Sequence, residues 1–262
     1  MVSQIFDYIN ETDGSNQLFK IDCSIIEIYK EQVNDLIDIK NTNLNLIEQK
    51  NKILIIDNLT HVGVSSEEQL TKAINKGLSN RNIPSYRDHN SKSHFIITLI
   101  IYSYFRKENY MKIGKLNIVD LEGSDRISRN KILEGEPLEE QKLINKSLIA
   151  LSRIVQNLSN EAENVTFAPY RDSKLTRIIS DNFGGNAYTS LILNCSKHEL
   201  STIETRNTLM FGEKCKKIKN RPVVNIEKNA NQSIILGEIF GIEDFPSENE
   251  RLNNKTYNKE NK

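Results

Sequence analysis

The stretch NIVDLEGSDR, residues 117–126, is the most informative part of this sequence. An apolar run ends in Asp120, and Gly123 follows three residues later. This D-x-x-G arrangement is typical of a sensor for nucleotide phosphates, because the carboxylate can hold a Mg²⁺-bound water and the glycine lets a backbone N–H approach a terminal phosphate. Alone it is weak evidence, since a strand that ends in Asp before a Gly turn is common. Its meaning therefore depends on the segments around it.

The composition suits a soluble globular chain and argues against several classes of protein. The 262 residues fit one domain or two small ones, and 35 Lys and Arg balance 35 Asp and Glu, so bulk charge predicts neither a nucleic-acid binder nor an acidic tail. Cys23, Cys195 and Cys215 offer no zinc spacing and no even disulfide framework, which favours reduced thiols. No stretch has the length of a membrane span, and the N-terminus lacks the pattern of a secretory signal. We therefore expect a cytoplasmic protein with no membrane insertion and no nucleic-acid partner.

Hydrophobic periodicity predicts helices and strands in alternation around residues 117–126. Ser66 opens a capping box, S-E-E-Q, and we expect Gly77 to close the helix behind it. The other predicted elements are helices at 2–10, 138–158, 173–182 and 201–218, and strands that start at residue 18 or span 95–105, 112–120 and 189–194. Helices that alternate with apolar strands imply an α/β fold, with a sheet sandwiched between helices.

Several blocks, in order along the chain, together resemble the kinesin motor domain. The similar blocks are 90–94 to the switch I signature S-S-R-S-H, 120–125 to switch II D-L-A-G-S-E, 144–148 to the start of the long microtubule-facing helix, 169–177 to a loop and helix that also face tubulin, 204–220 to the last motor helix, and 219–225 to a neck linker. Residues 41–44 and 79–81 are most similar to conventional kinesin heavy chain. The resemblance covers about residues 2–226, and so many blocks in order are hard to obtain by chance.

The resemblance implies a kinesin-type P-loop NTPase fold truncated at its N-terminus: α/β, with a central mixed β-sheet flanked by helices on both faces. It divides the chain into a partial motor domain (1–218), a neck-linker-like segment (219–226) and a polar tail (227–262) that we expect to be disordered. The implied parent activity is ATP-driven movement along microtubules, with ATP and Mg²⁺ as cofactors. Tubulin is the implied partner, and a longer parent chain could dimerise.

The resemblance also assigns candidate site residues. Those implied for catalysis are Lys92, Asp120, Gly123 and Asp125. Those implied for nucleotide binding are Asn90, Ser91, Ser93 and Gly123, with Mg²⁺ contacted by Ser91 and, through a water, by Asp120. Those implied for microtubule binding are Lys142, Asn145, Phe167, Arg171, Lys174 and Arg177.

Departures from the family pattern cluster at the phosphate site. No P-loop, G-x-x-x-x-G-K-[ST], occurs in the 262 residues, so we expect this chain alone to be inactive. The switch latch pairs Lys92 with Asp125 where the family has Arg and Glu, which removes a two-donor fork and shortens the reach. Glu122 replaces a small alanine, and its carboxylate would repel a terminal phosphate unless it turns to solvent.

Other interpretations stay open from the sequence. The chain could be a degenerate kinesin that binds microtubules without hydrolysing ATP, and it could be either a fragment or a complete degenerate protein. A GTPase shares D-x-x-G, but the base-specifying N-K-x-D motif is absent, which argues against it. Asp120 could be a turn residue, and the basic residues of 169–177 and 214–221 could form solvated faces. For His94 we favour a structural role over a metal-binding one.

Overall fold

The computed structural model describes residues 2–12, 16–49, 54–81, 92–123, 136–160, 168–228, 237, 239 and 240. Its helices are Val2–Glu11 (α1), Glu67–Arg81 (α2), Glu136–Ser159 (α3), Lys174–Ile178 (α4) and Thr202–Lys216 (α5), with short 3₁₀ turns at Tyr170–Asp172, Ser180–Asn182 and Glu199–Ser201. Its strands are Gln17–Tyr29 (β1), Gln32–Asp35 (β2), Leu46–Glu48 (β3), Leu54–Ile56 (β4), Val62–Val64 (β5), His94–Phe105 (β6), Tyr110–Asp120 (β7) and Ile226–Lys228 (β8).

A central sheet has the strand order β2-β1-β6-β7-β8, with β5 also paired to β1, and β3 and β4 form a separate hairpin. The long β1–β6 pairing runs antiparallel from Gln17 opposite Phe105 to Ile28 opposite His94. Strands β6 and β7 form the predicted hairpin, which sets Phe95 opposite Asp120. The start of β6 and the end of β7 therefore lie side by side at the same end of the sheet.

Each face of the sheet is covered by helices, because residues two apart on a strand point to the same side. Ile25 and its neighbours on one face pack with Phe6 of α1 and Leu70 of α2. Ile26 on the other face packs with apolar residues of α3 and α4, including Leu151. The predicted α/β architecture, a sheet between helices, is confirmed.

Gly77 does not close α2, as the sequence led us to expect. The helix continues to Arg81, and Gly77 lies on its buried stripe. A Cβ at Gly77 would lie 2.9 Å from two side-chain atoms of Ile25. The glycine therefore allows α2 to approach β1 closely, and this packing outweighs the cost of a glycine inside a helix.

The strand predicted at 189–194 does not form, although its apolar pattern is that of a strand. The segment is irregular, and the side chain of Ile192 is 85% exposed. Leu193 rests on α5, where a Cβ on Gly212 would collide with its Cδ1 atom. A strand needs a partner for its backbone groups, and within the described ranges no strand lies beside 189–194. Among the described residues, no strand pairs with the outer edge of β7 between Gly114 and Asp120.

Part of the segment predicted to be a disordered tail packs on the sheet. Strand β8 pairs antiparallel with β7, and Asn225 exchanges two hydrogen bonds with Ile113, at 3.0 and 3.2 Å. Phe240 lies with its ring centroid 6.3 Å from that of buried Tyr104. Apolar surface on the β6–β7 hairpin contacts Phe240. Asn225 and the first residue of β8 belong to the neck-linker-like segment, and disorder of the tail as a whole stays a prediction. In the parts of the chain that the structure describes, no helix is long and apolar enough to span a bilayer.

Candidate functional site

Arg81, the last residue of α2, connects the start of β6 with the end of β7 at one end of the sheet. Its Nη1 donates to Oδ2 of Asp120 at 3.0 Å, and its Nη2 donates to the backbone oxygen of Ser93 at 3.0 Å. The guanidinium also lies 5.1 Å from the ring centroid of Phe95. One side chain thereby links α2 to the start of β6 and to the end of β7.

Ser93 and Glu27 form the buried side of this arrangement. The Ser93 hydroxyl donates to Oε1 of Glu27 at 2.6 Å, and both residues are buried. Glu27 Oε1 also lies 4.0 Å from Nε of Arg81, so the buried carboxylate has a cationic partner. The hydroxyl of Ser93 is thus directed into the protein, which gives it a part in fixing the strand end and leaves it turned away from solvent.

Asp120 is the most accessible acidic group of the site. Its side chain is 69% exposed, while one oxygen is bound by Arg81. Gly123 and Lys92 are also exposed. The described residues contain no group of three or more His, Cys, Asp or Glu that could hold a metal. One accessible carboxylate is compatible with a contact to Mg²⁺ through water and does not fit a protein-built cage, and the Mg²⁺ contact stays a prediction. Three residues predicted for the nucleotide site lie outside the described residues: Asn90, Ser91 and Asp125.

Glu122 belongs to a buried hydrogen-bonded triad with His94 and Ser147. The Glu122 backbone N–H donates to Nδ1 of His94 at 3.0 Å, and the Ser147 hydroxyl donates to Glu122 Oε1 at 3.0 Å. His94 Nε2 lies 2.8 Å from Oγ of Ser147 and 3.6 Å from Oε2 of Glu122. Since Ser147 lies on α3, the triad joins the turn after β7 to that helix.

The triad is electrically neutral near pH 7. Burial, and then the charge of Arg81, lowers the pKa of His94 to about 4. An Nδ1 atom that accepts a backbone N–H agrees with a neutral imidazole protonated at Nε2. Burial raises the pKa of Glu122 to about 8, although the hydrogen bond from Ser147 acts in the opposite direction. Glu122 turns inward and not to solvent, so the turn to solvent that the sequence analysis considered does not occur.

A second cluster surrounds the segment 168–178, which we call the basic loop. Ser173 caps α4, since its Oγ accepts the backbone N–H of Leu175 at 3.1 Å. Glu31, in the turn between β1 and β2, accepts from the Ser173 hydroxyl at 2.8 Å and from the Lys174 backbone N–H at 2.9 Å. Its Oε2 lies 4.0 Å from Nζ of Lys146 on α3. The basic loop and α3 therefore share one carboxylate.

Arg171 projects from the basic loop and pairs with Glu48 of the β3–β4 hairpin. The distance from Arg171 Nη2 to Glu48 Oε2 is 2.8 Å, and the arginine side chain remains 75% exposed. Next to it, Asp172 lies 3.8 Å from Arg153 of α3. Of the other residues predicted to contact a track, Lys142 is exposed, Asn145, Lys174 and Arg177 are half-buried, and Phe167 lies outside the described residues.

Sequence reasoning missed the anchoring roles of Arg81, Glu27, Glu31 and Glu48. A signal existed for the first, because Arg81 continues the buried stripe of α2 that runs through Leu70, Ala73 and Gly77. A charged side chain on an apolar stripe has to find a partner. Nothing comparable singled out Glu48, whose partner Arg171 lies 123 residues further along the chain.

Known proteins match this chain over most of its length. The kinesin motor domain family model matches residues 1–218. Kinesin-related protein 3 of Dictyostelium discoideum is 39% identical over 263 residues, which cover 99% of this chain and 21% of that protein. The Kinesin-1 heavy chain of Homo sapiens is 39% identical over 234 residues, which cover 88% of this chain and 24% of that protein. This chain thus spans less than a quarter of the length of these relatives.

A solved structure supports the same assignment. The structure of a fast kinesin, reported with implications for ATPase mechanism and microtubule interactions, has a TM-score of 0.79 and 36% sequence identity. The matched region covers 88% of this chain and 65% of the chain in that structure. The fold and the family model agree with the blocks found in the sequence, and the chain belongs to the kinesin motor domain family.

Proposed function

We propose that this chain supplies the phosphate-sensing and track-binding parts of an ATP-driven microtubule motor. One observation carries the proposal: the triad of Glu122, His94 and Ser147 joins the turn that follows Asp120 to α3, the helix that bears Lys142 and its neighbours. A change at the nucleotide end can therefore reach the track-binding end through direct hydrogen bonds.

ATP and Mg²⁺ are the proposed ligands of the nucleotide end. Mg²⁺ supplies charge neutralisation on the phosphates when bound. Asp120 would hold a metal-bound water, Ser91 would contact the metal, and Gly123 would offer its backbone N–H to the terminal phosphate. Asn90 would border the nucleotide directly. Ser93 would act indirectly, because its hydroxyl binds Glu27 and so fixes the start of β6 beside the nucleotide. Lys92 and Asp125 would close as a latch.

Microtubules are the proposed partner of the other end, which places the protein on the cytoskeleton of the cytoplasm. The contact residues would be Lys142, Asn145, Phe167, Arg171, Lys174 and Arg177. Exposed cationic side chains attract an acidic partner such as tubulin, and this attraction weakens with salt. A longer parent chain that continues beyond the neck-linker-like segment could bring two such motor domains together.

The test compares ATP hydrolysis by two proteins, with and without microtubules. One is the 262-residue chain, and the other is the same chain fused behind the P-loop-bearing portion of the human Kinesin-1 heavy chain. We expect stimulated hydrolysis from the fusion only, because P-loop amides and lysine supply most phosphate contacts.

Asp120→Ala in the fusion should abolish stimulation, whereas Asp7→Ala, an exposed carboxylate on α1, should leave it unchanged. Stimulated turnover by the unfused chain would contradict the proposal, and so would a folded fusion that neither hydrolyses ATP nor binds microtubules.

A further inference from the structure

The turn between β1 and β2 contains a backbone strain that folding alone does not explain. Lys30 and Glu31 form its two central residues, with φ of 49° and 63°. Two-residue hairpin turns with both φ values positive strongly favour Asn and Gly, because a Cβ in the left-handed region is crowded. A glutamate at the second position therefore costs stability relative to glycine. Backbone strain of this kind is concentrated at sites where the residue has a functional role.

The Glu31 side chain makes the contacts that the strain permits. Its carboxylate is 15% exposed and accepts the Ser173 hydroxyl at 2.8 Å and the Lys174 backbone N–H at 2.9 Å, at the start of α4. Lys146 of α3 contributes a cation 4.0 Å away. Hydrogen bonds to an ionised carboxylate are stronger than those between neutral groups, so the start of α4 is firmly held.

The position of this anchor matters for the whole basic loop. Arg171, Lys174 and Arg177 all lie within four residues of Ser173, and helix α4 has only five residues to hold its own geometry. Buried Leu175 fixes one side of α4 against the core. The carboxylate of Glu31 fixes the start of α4, at Ser173 and Lys174, next to the cationic side chains.

We propose that Glu31 is the positioning residue of the microtubule-binding surface, which sets the basic loop against α3 at the expense of a strained turn. This inference rests on the proposed function, since it assigns Glu31 to the contact with the acidic track. Glu31 itself is too enclosed to be a principal contact. It acts through Ser173 and Lys174.

The test uses the full 262-residue chain and the variant Glu31→Gly. Glycine relaxes the left-handed turn and removes the carboxylate, so stability and track binding should separate. We expect microtubule affinity to fall about tenfold, the factor that corresponds to one net hydrogen bond of the charged kind. The backbone amide of Lys174 should exchange its hydrogen faster. The midpoint of chemical unfolding should change little, because relief of the strained turn offsets much of the stability lost with the two hydrogen bonds.

Lys30→Gly is the matched control, because it relaxes the other strained residue of the same turn and keeps the carboxylate. It should leave microtubule affinity unchanged. Glu31→Gln keeps an acceptor oxygen and should restore part of the affinity. In a chain with Arg171→Ala and Lys174→Ala, Glu31→Gly should cause little further loss.

The outcomes are distinct. Unchanged affinity in Glu31→Gly, or an equal loss in Lys30→Gly, would overturn the role of Glu31 and leave the proposed function standing. A loss of affinity that goes with a lower unfolding midpoint, and that Gln does not restore, would also overturn it. The proposed function itself would be refuted if the unsubstituted chain protects the Lys174 amide from hydrogen exchange but does not co-sediment with microtubules after aggregates have been removed. The role of Glu31 would then fail with it.

Discussion

Raising the pH from 6.5 to 8 should destabilise this chain through one buried side chain, Glu122. Burial raises the pKa of its carboxyl group from 4.5 to about 8 in the folded protein. Between these values the folded chain keeps a proton that the unfolded chain releases. The stability that this proton contributes is complete below pH 4.5 and is lost as the pH rises to about 8.

His94 contributes with the opposite sign at lower pH. Its pKa falls from 6.5 to about 4 on folding, so the unfolded chain binds a proton that the folded chain rejects. Stability from His94 therefore rises with pH between about 4 and 6.5 and offsets much of the loss from Glu122. Above pH 6.5 the remaining gain from His94 is small and the loss from Glu122 dominates, at no more than about 1.4 kcal/mol per pH unit. Because Glu122 is half ionised in the folded chain by pH 8, the free energy of unfolding should drop by about 1–1.5 kcal/mol over this interval.

Chemical unfolding at a series of pH values from 6.5 to 8 measures this drop. Glu122→Gln keeps the shape of the side chain and removes the titrating proton, so its unfolding free energy should be nearly constant over the same interval. Glu204→Gln, at an exposed position on α5, should follow the unsubstituted chain. If the Glu122→Gln variant loses as much stability as the unsubstituted chain, Glu122 is not the group that titrates and the description of the triad is wrong.

Two further predictions follow from the ion pairs. Arg81→Ala should cost about 3–5 kcal/mol of unfolding free energy, because it leaves the buried carboxylate of Glu27 without its cation. Adding Glu27→Gln should recover part of this loss in denaturant titrations, and no recovery would show that the pairing is not the cause. Glu48→Gln should free Arg171 and tighten microtubule binding by a few-fold at most, since exposed ion pairs contribute only about 0–1 kcal/mol. The gain should vanish in an Arg171→Ala background, and a gain that persists there would point to general repulsion between Glu48 and the track.

The sequence predicted the elements whose partners are close along the chain or whose pattern is long. The hairpin of β6 and β7 was predicted because each strand is long and apolar and a polar turn of four residues connects them. The long helix α3 was predicted from its repeat of apolar residues. The prediction of a strand at 189–194 was wrong. Periodicity shows which residues are apolar, but it does not show whether a neighbouring strand exists to pair with the backbone.

The resemblance selected Asp120 and Arg171 as candidate site residues and His94 as a structural residue, and their functional roles stay predictions. It did not show which groups each side chain faces. The inward turn of Glu122 depends on His94 and Ser147, which lie 28 and 25 residues away along the chain. A buried donor and acceptor together decide the orientation of a carboxyl group, and sequence spacing carries no record of that pairing.

The outer edge of β7 bears on how a cell would treat this polypeptide. In the part of the chain that the structure describes, the strand from Gly114 to Asp120 offers one side of its backbone and the partly exposed side chain of Ile118. Exposed edges of this kind are templates for pairing with other chains, and uncovered apolar surface is what chaperones and proteases recognise. The edge ends at Asp120, the proposed metal-water ligand. Whatever polypeptide covers it would therefore protect the protein from degradation and complete its nucleotide site in the same step, so that survival in the cell and catalytic competence would be acquired together.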